Sequence, residues 1–423
     1  MKNFKTMISY AEAIKILETV EVTPLPSQKI AFNQAVGRIL AQSIRADKNV
    51  PPFPTSAMDG FAINFNDLQT LRDDGLELQA INKAGLEEVL TLLPKCTIAT
   101  YTGSKMPLQS DTIVLMEDII KFKKKKNNKE FIRLLDSKQD IKPAQWVRQV
   151  GDNYKSGDIL IHQGARISPF EVGILADLNK VFVQVSARPK VGIISIGDEI
   201  IEVGEQSERT NALRSVNNHL LGALCESLGC ESMLFASVGD DKKSITNLYK
   251  QALQQCDVLV TTGGMSVGDF DFTKDIMQES CEIQFRGVRM KPGKPVAYGI
   301  YTQGSKKTHI FGLPGYPNSC AATFYLFARV IIARLSGTKA RNFIIKGRLL
   351  ESLQRSDSRM EFRACEVELK NGEFFASFKS KKSLQSSMIN NLSTHTGFVI
   401  LPENGDSLKK GQSVEILLFR DIL

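Results

Sequence analysis

The sequence contains no long apolar run. No stretch of the 423-residue chain approaches the roughly 18 consecutive apolar residues of a membrane-spanning helix. The first residues, MKNFKTMISYAEAIK, lack the apolar core of a secretory signal peptide. Apolar residues make up 42% of the chain and charged residues 24%, which is ordinary for a globular protein. We therefore expect a cytoplasmic protein without a membrane partner, and the length predicts about two to four domains.

Cysteine and histidine patterns of disulfide or metal sites are also missing. The seven cysteines are odd in number and no two have C-x-x-C spacing, so neither a disulfide framework nor a zinc site is indicated. The four histidines, His162, His219, His309 and His395, are scattered and form no H-E-x-x-H motif. We expect most of them to have packing roles.

Positive charge is concentrated in one run. The net charge is +8, and part of it comes from Lys121–Lys126. A basic run can attract nucleic acid, but this one matches no known binding motif. It lies between two predicted strands, Thr112–Ile120 and Phe131–Leu135. We interpret it as the solvated tip of a hairpin and expect no nucleic-acid partner.

The middle of the chain alternates predicted strands and helices. Apolar, β-branched runs predict strands at Val191–Ile194, Met233–Val238 and Val258–Thr262. Amphipathic spacing predicts helices at Asn217–Leu228 and Lys243–Gln254. Because the carboxyl ends of parallel strands meet at one edge of a sheet, where ligands bind, we expect the turns after these strands to converge.

Each of these turns is rich in glycine and acids. The candidate site residues are Gly197-Asp198-Glu199, Gly239-Asp240-Asp241, Gly263-Gly264, Ser266, Asp269 and Asp271. Paired glycines let backbone N–H groups approach an anion. Two neighbouring carboxylates repel unless a cation lies between them, and Mg²⁺ is the natural cation beside a phosphate. The alternative is a tight strand-to-helix turn with solvated acids.

Two stiffened turns further along carry cations and small residues. Met290–Pro295 (MKPGKP) contains Lys291 and Lys294, and Phe311–Ser319 (FGLPGYPNS) contains the turn residues Pro314, Gly315 and Pro317. Proline fixes φ and glycine allows close approach. Together with the carboxylates, these turns predict a site for a phosphorylated, anionic ligand. The alternative is a pair of solvated lysines.

Two further regions are predicted to be rich in strands. In the first half these are Leu76–Ile81, Thr97–Tyr101, Thr112–Leu115 and Phe131–Leu135. At the end of the chain they are Phe343–Leu349, Phe362–Leu369, Phe374–Phe378, Gly397–Leu401 and Ser413–Leu418. Helical spacing is found at Tyr10–Val20 and Asn318–Ser336.

An ordered set of motifs resembles one known family. The motifs are SAMDG (56–60), TG (102–103), VRQVGD (147–152), GDE (197–199), GDD (239–241), GGMSVGDFDFTK (263–274), MKPGKP (290–295) and LPGYP (313–317). In this order they resemble the MoeA family, the molybdopterin molybdenumtransferases, to which the C-terminal part of gephyrin is related. The resemblance covers nearly the whole chain.

The resemblance implies an elongated, multidomain α/β subunit with β-rich domains, in a homodimer. It divides the chain into an N-terminal segment that packs with the α/β domain (1–26), a linker or dimer domain (27–47 with 155–187), an inserted β-rich domain (48–154), an α/β domain like that of molybdopterin adenylyltransferases (188–338) and a C-terminal β-barrel-like domain (339–423). A molybdopterin adenylyltransferase is a further possible partner.

The implied reaction converts adenylylated molybdopterin and molybdate into molybdenum cofactor and AMP, with Mg²⁺ as cofactor. Cleavage of a phosphoanhydride needs positive charge on the phosphates and a metal that holds the leaving group. The resemblance assigns catalysis to Asp59, Glu199, Asp240, Asp271, Lys291 and Lys294, with Asp59 acting from the partner subunit. It assigns Mg²⁺ binding to Asp241, Asp269 and Asp271. It assigns substrate binding to Thr102, Arg148, Gly263, Gly264, Ser266, Pro314, Gly315, Pro317, Ser319, Arg359, Ser386 and Ser387.

The chain departs from the family pattern at four positions. Ile196 replaces a threonine, Asn153 an aspartate, Tyr316 an asparagine and Gln385 a glycine. Two other functions therefore stay open beside the transferase. One is a nucleotidyl-transfer enzyme that adenylylates molybdopterin with ATP. The other is a divergent paralogue that serves as a non-enzymatic scaffold.

Overall fold

A computed structural model describes residues 5–124, 128–138, 140–235, 242–263, 272–355, 357–381, 388–393 and 396–419. The chain divides into two compact units. The first comprises Met1–Gln42, Gln163–Gly173 and Lys180–Leu423, and the second Ser43–His162 and Ile174–Asn179. The five-part division implied by the family resemblance stays a prediction.

The helices and strands are numbered here in chain order. The helices are α1 (Tyr10–Thr19), α2 (Leu68–Asp73), α3 (Pro169–Asp177), α4 (Val216–Ser227), α5 (Lys242–Gln255), α6 (Phe272–Ser280), α7 (Pro317–Thr323) and α8 (Arg329–Leu335). The strands are β1 (Lys5–Ile8), β2 (Ser27–Ala31), β3 (Ile44–Arg45), β4 (Thr55–Ser56), β5 (Gly60–Ile63), β6 (Leu76–Asn82), β7 (Cys96–Thr100), β8 (Thr112–Leu115), β9 (Ile119–Lys123), β10 (Glu130–Leu134), β11 (Val147–Arg148), β12 (Ile159–Ile161), β13 (Phe182–Ser186), β14 (Lys190–Ser195), β15 (Ile200–Ile201), β16 (Leu213–Arg214), β17 (Glu231–Leu234), β18 (Val258–Thr262), β19 (Glu282–Val288), β20 (Met290–Lys291), β21 (Ala297–Gln303), β22 (Lys306–Leu313), β23 (Phe343–Leu349), β24 (Met360–Lys370), β25 (Glu373–Ser377), β26 (Thr396–Leu401) and β27 (Ser413–Leu418).

A seven-stranded sheet forms the centre of the first unit, in the order β1-β19-β21-β22-β18-β14-β17. Strands β17, β14, β18 and β22 are mutually parallel, as the β/α alternation predicts. The pairing aligns Ser195 with Thr262 and Thr262 with Leu313. Three strands therefore end at the same level, and the turns that follow them lie side by side.

Side-chain alternation along these strands builds two hydrophobic layers. Val258 and Val260 pack with α1, α4 and the α7–α8 region, whereas Leu259 packs with α5 and α6 on the opposite face. Successive side chains of a strand point to opposite faces. Both faces of the parallel sheet are therefore covered by helices. The predicted helix Asn318–Ser336 is one helical run that contains a π-helical segment, Phe324–Ala328, between α7 and α8.

The C-terminal strands close into a barrel. The order is β24-β25-β23-β27-β26, and β26 pairs again with β24. The predicted bounds of β23 and β27 are confirmed at both ends. The short strand β20 adds to the barrel in parallel with β24, so that Lys291 lies opposite Glu361. The lysine-bearing turn is thereby fixed to the barrel.

The second unit contains a six-stranded sheet, β8-β5-β7-β6-β10-β9, around a small core. Strands β9 and β10 form a hairpin, but the predicted strand Thr112–Ile120 is interrupted by a 3-10 turn at Met116–Asp118, so that Lys121 and Lys123 belong to β9 and not to the tip. Residues 125 and 126 of the lysine run lie outside the described residues. None of the helices formed by described residues has the length and hydropathy needed to span a bilayer.

Candidate functional site

Glycines bring the turns at the strand ends into contact. Gly263 follows β18 with φ +87°, and a Cβ there would lie 2.4 Å from the carbonyl oxygen of Ile196. A Cβ on Gly315, which follows β22, would lie 3.6 Å from the Cα of Gly263. A larger residue at position 263 would therefore separate the turns after β14 and β18.

A cavity of about 580 Å³ opens beside these turns. It collects five residues predicted from the sequence, namely Glu199, Gly263, Pro314, Gly315 and Pro317. Its other walls are mostly apolar, with Ile196, Ile200, Leu213 and Val216, and Thr262, Arg214 and Asn217 add polar groups. A mostly apolar cavity with a few fixed polar groups is typical of an organic ligand site.

Asn217 is a cavity residue that the sequence analysis missed. Its Nδ2 donates to the carbonyl oxygen of Gly315 at 2.8 Å, which ties α4 to the turn after β22. The side chain is only 7% exposed, and its Oδ1 has no hydrogen-bond partner among the described residues. A polar residue on the buried face of a helix first turn is the signal that could have identified it.

A second cavity of about 310 Å³ adjoins the first. Pro295, Pro314 and Tyr316 line both cavities. The smaller cavity collects the predicted residues Lys291, Lys294, Pro314, Ser319 and Arg359. Arg363 and Glu361 complete its charged lining. Among the described residues that line it, four are cations and one is an acid, so the smaller cavity suits an anion.

Tight packing fixes the loop that carries the two lysines. Gly293 lies between them with φ +102°, and a Cβ there would lie 2.2 Å from Cγ2 of Thr323 in α7. The backbone N–H of Val288 donates to the carbonyl oxygen of Lys294 at 3.0 Å. Only glycine fits this position, because both the backbone conformation and the space exclude a side chain.

Two ion pairs hold the arginines of the smaller cavity. Arg359 contacts Asp357, with Nη2 2.6 Å from Oδ2, and this hydrogen bond lowers the pKa of Asp357 to about 2. Arg363 and Glu361 form a buried pair, with Nε 2.5 Å from Oε1. The Arg359 guanidinium also donates to the carbonyl oxygen of Met290 at 3.4 Å. The arginine heads are therefore oriented before any ligand binds.

The second unit brings two other predicted residues together. Oδ1 of Asp59 accepts hydrogen bonds from the backbone N–H of Thr102 at 2.8 Å and from its hydroxyl at 2.7 Å. These bonds lower the pKa of Asp59. Arg148 donates to Oδ1 of Asn153, one of the positions that depart from the family pattern. Asp59 is thus held as an oriented carboxylate.

Eight of the predicted site residues fall between the described ranges. Gly264, Ser266, Asp240, Asp241, Asp269, Asp271, Ser386 and Ser387 lie outside the described residues. Over the described ranges, no group of three or more His, Cys, Asp or Glu side chains could hold a metal. The three acids predicted to bind Mg²⁺ are all among the eight residues between these ranges, whereas Glu199, which was predicted to be catalytic, lines the larger cavity.

Fold and site define a multidomain α/β protein in which a mostly apolar cavity adjoins a cationic one. Residues 8–178 match the model of the MoeA N-terminal region (domain I and II), and residues 192–334 match that of a probable molybdopterin binding domain. The molybdopterin molybdenumtransferase of Haemophilus influenzae is 32% identical over 324 residues, 76% of each chain. That of a Nostoc species is 28% identical over 389 residues, 90% of this chain and 86% of the relative.

A solved structure agrees with these sequence relatives. The crystal structure of the molybdopterin biosynthesis MoeA protein of Pyrococcus horikoshii OT3 is similar, with a TM-score of 0.80 and 25% identity over 98% of this chain and 100% of that one. The chain belongs to the MoeA family, the molybdopterin molybdenumtransferases. It is therefore an enzyme of molybdenum cofactor biosynthesis, and the predicted fold class is confirmed.

Proposed function

We propose that the protein inserts molybdate into adenylylated molybdopterin and releases AMP in a Mg²⁺-dependent reaction. The observation that carries this proposal is the pair of adjoining cavities that share Pro295, Pro314 and Tyr316. One cavity is mostly apolar and lies at the strand ends, and the other is cationic. The proposed substrate has an organic part and reacts with an oxyanion. Its site therefore needs one mostly apolar cavity and one cationic cavity.

The smaller cavity takes molybdate in this proposal. Molybdate is a tetrahedral dianion, and its recognition needs donors and cations rather than a general base. Lys291, Lys294 and Arg359 supply charge, and the hydroxyl of Ser319 supplies a donor. Arg359 is already paired with Asp357, so it acts as an oriented donor and not as a free cation.

The larger cavity takes the adenylylated end of the substrate. Gly263 brings a backbone N–H close to the phosphates without a side chain in the way. Lys291 and Lys294 stabilise the negative charge that develops as the phosphoanhydride breaks and AMP leaves. These lysines line only the smaller cavity, and because that cavity adjoins the larger one, they would lie between the two reactants.

Mg²⁺ fits the residue types at the strand ends. Carboxylate oxygens are the protein ligands that Mg²⁺ prefers. Glu199 would hold the ion together with aspartates at 240, 241, 269 and 271, which follow the neighbouring strands in the sequence. When bound, the ion supplies positive charge to the departing phosphate.

Homodimer formation belongs to the same proposal. Val36, Phe170, Val181 and Phe182 are among the large apolar side chains that the first unit exposes, and Phe170 is 85% exposed. Apolar surface of this kind is typical of a subunit interface. In the dimer, Asp59, Thr102 and Arg148 of one subunit act at the cavities of the other. A molybdopterin adenylyltransferase that supplies the substrate is the further partner we propose.

The test uses the purified protein with adenylylated molybdopterin, Mg²⁺ and molybdate, and measures AMP release. We expect molybdate-dependent release that falls by about 10²- to 10³-fold in Lys294→Ala, the usual loss for one transition-state donor. Asp271→Ala should abolish the molybdate-dependent AMP release. Lys346→Ala, an exposed lysine on β23, is the control and should keep wild-type activity.

Three outcomes would count against the proposal. AMP release without any oxyanion would indicate hydrolysis. The absence of AMP release with either molybdate or tungstate would indicate a scaffold. Adenylylation of molybdopterin by ATP would indicate the nucleotidyl-transfer enzyme.

A further inference from the structure

Tyr316 is an aromatic residue placed at a ligand site and not in the core. It lines both cavities, and 61% of it is exposed. Its backbone is fixed, because its carbonyl oxygen accepts a hydrogen bond from the N–H of Cys320 at 2.8 Å in the first turn of α7. Its ring makes no contact with another aromatic ring among the described residues. The ring therefore has an open face at the cavities.

Asn217, a residue in the wall of the larger cavity, has a buried acceptor of known orientation. The carbonyl oxygen of Gly315 can only accept, so the amide nitrogen of Asn217 must face it. The amide oxygen is then the atom left without a partner among the described residues. An unpaired buried acceptor costs about 1–3 kcal/mol. A ligand N–H that approaches this oxygen removes that cost.

We infer that Tyr316 and Asn217 select a planar, amino-bearing heterocycle in the larger cavity. The ring of the ligand stacks on the Tyr316 ring, and its N–H donates to Oδ1 of Asn217. The apolar side chains of Ile196, Ile200 and Leu213 form the wall around the ring. This inference rests on the proposed function, because adenine and pterin, the two heterocycles of its substrate, both have this chemistry.

The two residues have separable effects. Stacking of a base on an aromatic side chain is worth about 1–3 kcal/mol by alanine substitution, which corresponds to an affinity loss of about 5- to 150-fold. Tyr316 should therefore contribute affinity for any flat ring. Asn217 should discriminate between rings with and without an amino group, because a ligand that lacks this group leaves the buried acceptor unpaired.

The experiment is calorimetric titration of the full chain with defined probes. AMP carries the amino-purine, purine riboside 5′-monophosphate carries the ring without the amino group, ribose 5-phosphate carries neither, and neopterin carries the pterin. Tyr316→Ala should weaken AMP or neopterin binding by about 5- to 150-fold and leave ribose 5-phosphate unchanged. Tyr316→Phe keeps the ring and should bind as the wild type does. Asn217→Ala should lose the preference for AMP over purine riboside 5′-monophosphate.

The outcomes separate this inference from the proposed function. Because the proposed function places the adenylylated end in this cavity, AMP binding should be the one weakened by Tyr316→Ala, and a weakening of neopterin binding instead would place the pterin there. The inference is overturned if Tyr316→Ala binds both probes as tightly as the wild type, or if the wild type binds neither. If AMP release fails while the titrations agree, the inference stands without the reaction. If AMP release occurs and Tyr316→Ala leaves KM unchanged, the reaction stands without the inference.

Discussion

The lysine-bearing loop should tolerate no side chain at Gly293. A Cβ on Gly293 would lie 2.2 Å from Cγ2 of Thr323, at a φ of +102°. Left-handed backbone strain costs about 1–3 kcal/mol, and overpacking a filled space costs about 1–3 kcal/mol. We therefore expect Gly293→Ala to lower the free energy of unfolding by about 2–6 kcal/mol. Lys291 and Lys294 should lose their fixed positions at the same time.

Two further variants separate strain from overpacking. Thr323→Ser removes Cγ2 but keeps the hydroxyl that donates to the carbonyl oxygen of Ser319 at 2.7 Å. In the double variant with Gly293→Ala, the loss of stability caused by overpacking should be recovered, and the loss caused by backbone strain should remain. Gly304→Ala is the matched control, because Gly304 has φ +60° and a Cβ there would meet nothing within 4 Å. It should show strain alone.

The assay is urea unfolding followed by circular dichroism, with molybdate binding measured on the same proteins. The wild type, the two single variants and the double variant form a double-mutant cycle. Differences in the free energy of unfolding are compared, because the cycle isolates the coupling between positions 293 and 323. The reasoning is refuted if Gly293→Ala costs no more than Gly304→Ala. It is also refuted if Thr323→Ser recovers nothing in the double variant.

Three further predictions concern titratable groups. Burial lowers the pKa of His309 from 6.5 to about 4, so the folded state favours the neutral ring, and stability should decline as pH falls from 6.5 towards 4. Between pH 7 and pH 5 this amounts to about 2 kcal/mol, and His309→Gln should lose that part of the pH dependence in unfolding experiments. The pKa of Asp357 is lowered to about 2 by Arg359, so its stabilising contribution is present above pH 3.8 and is lost towards pH 2; in Arg359→Ala an NMR titration should return the midpoint towards 3.8. Thr102→Val removes the hydroxyl donor to Asp59 and should raise the pKa of that carboxyl in the same kind of titration, while the remaining backbone bond keeps it below the ordinary value; an unchanged midpoint would contradict the assigned bond.

Helices and strands whose sequence signal lies within a few residues could be predicted from local patterns. The helix α1 follows from apolar spacing, and a Ser9–Glu12 capping box marks its start. Strand β18 has the predicted bounds, because a β-branched run between turns has few alternatives. The barrel strands were similarly readable from alternation and turn residues.

Non-local pairing was not readable from the sequence. Strand β22 was missed, although the apolar run before the LPGYP turn was its signal. Its register with β18 aligns Leu313 with Thr262, and a register of this kind is fixed by the whole sheet and not by either strand. The contact of Asn217 with Gly315 spans 98 positions. The turns of the site could therefore be predicted from sequence motifs. Which residues line the same cavity depends on the tertiary pairing of the strands.

The proposed transfer is tested most directly by counting products. The purified protein is given adenylylated molybdopterin, Mg²⁺ and molybdate, and released AMP is measured together with the molybdenum bound to the pterin product. We predict one molybdenum atom in the product for each AMP released. AMP release that leaves the pterin product without metal would contradict the account, since the cationic cavity would then serve hydrolysis and not metal insertion.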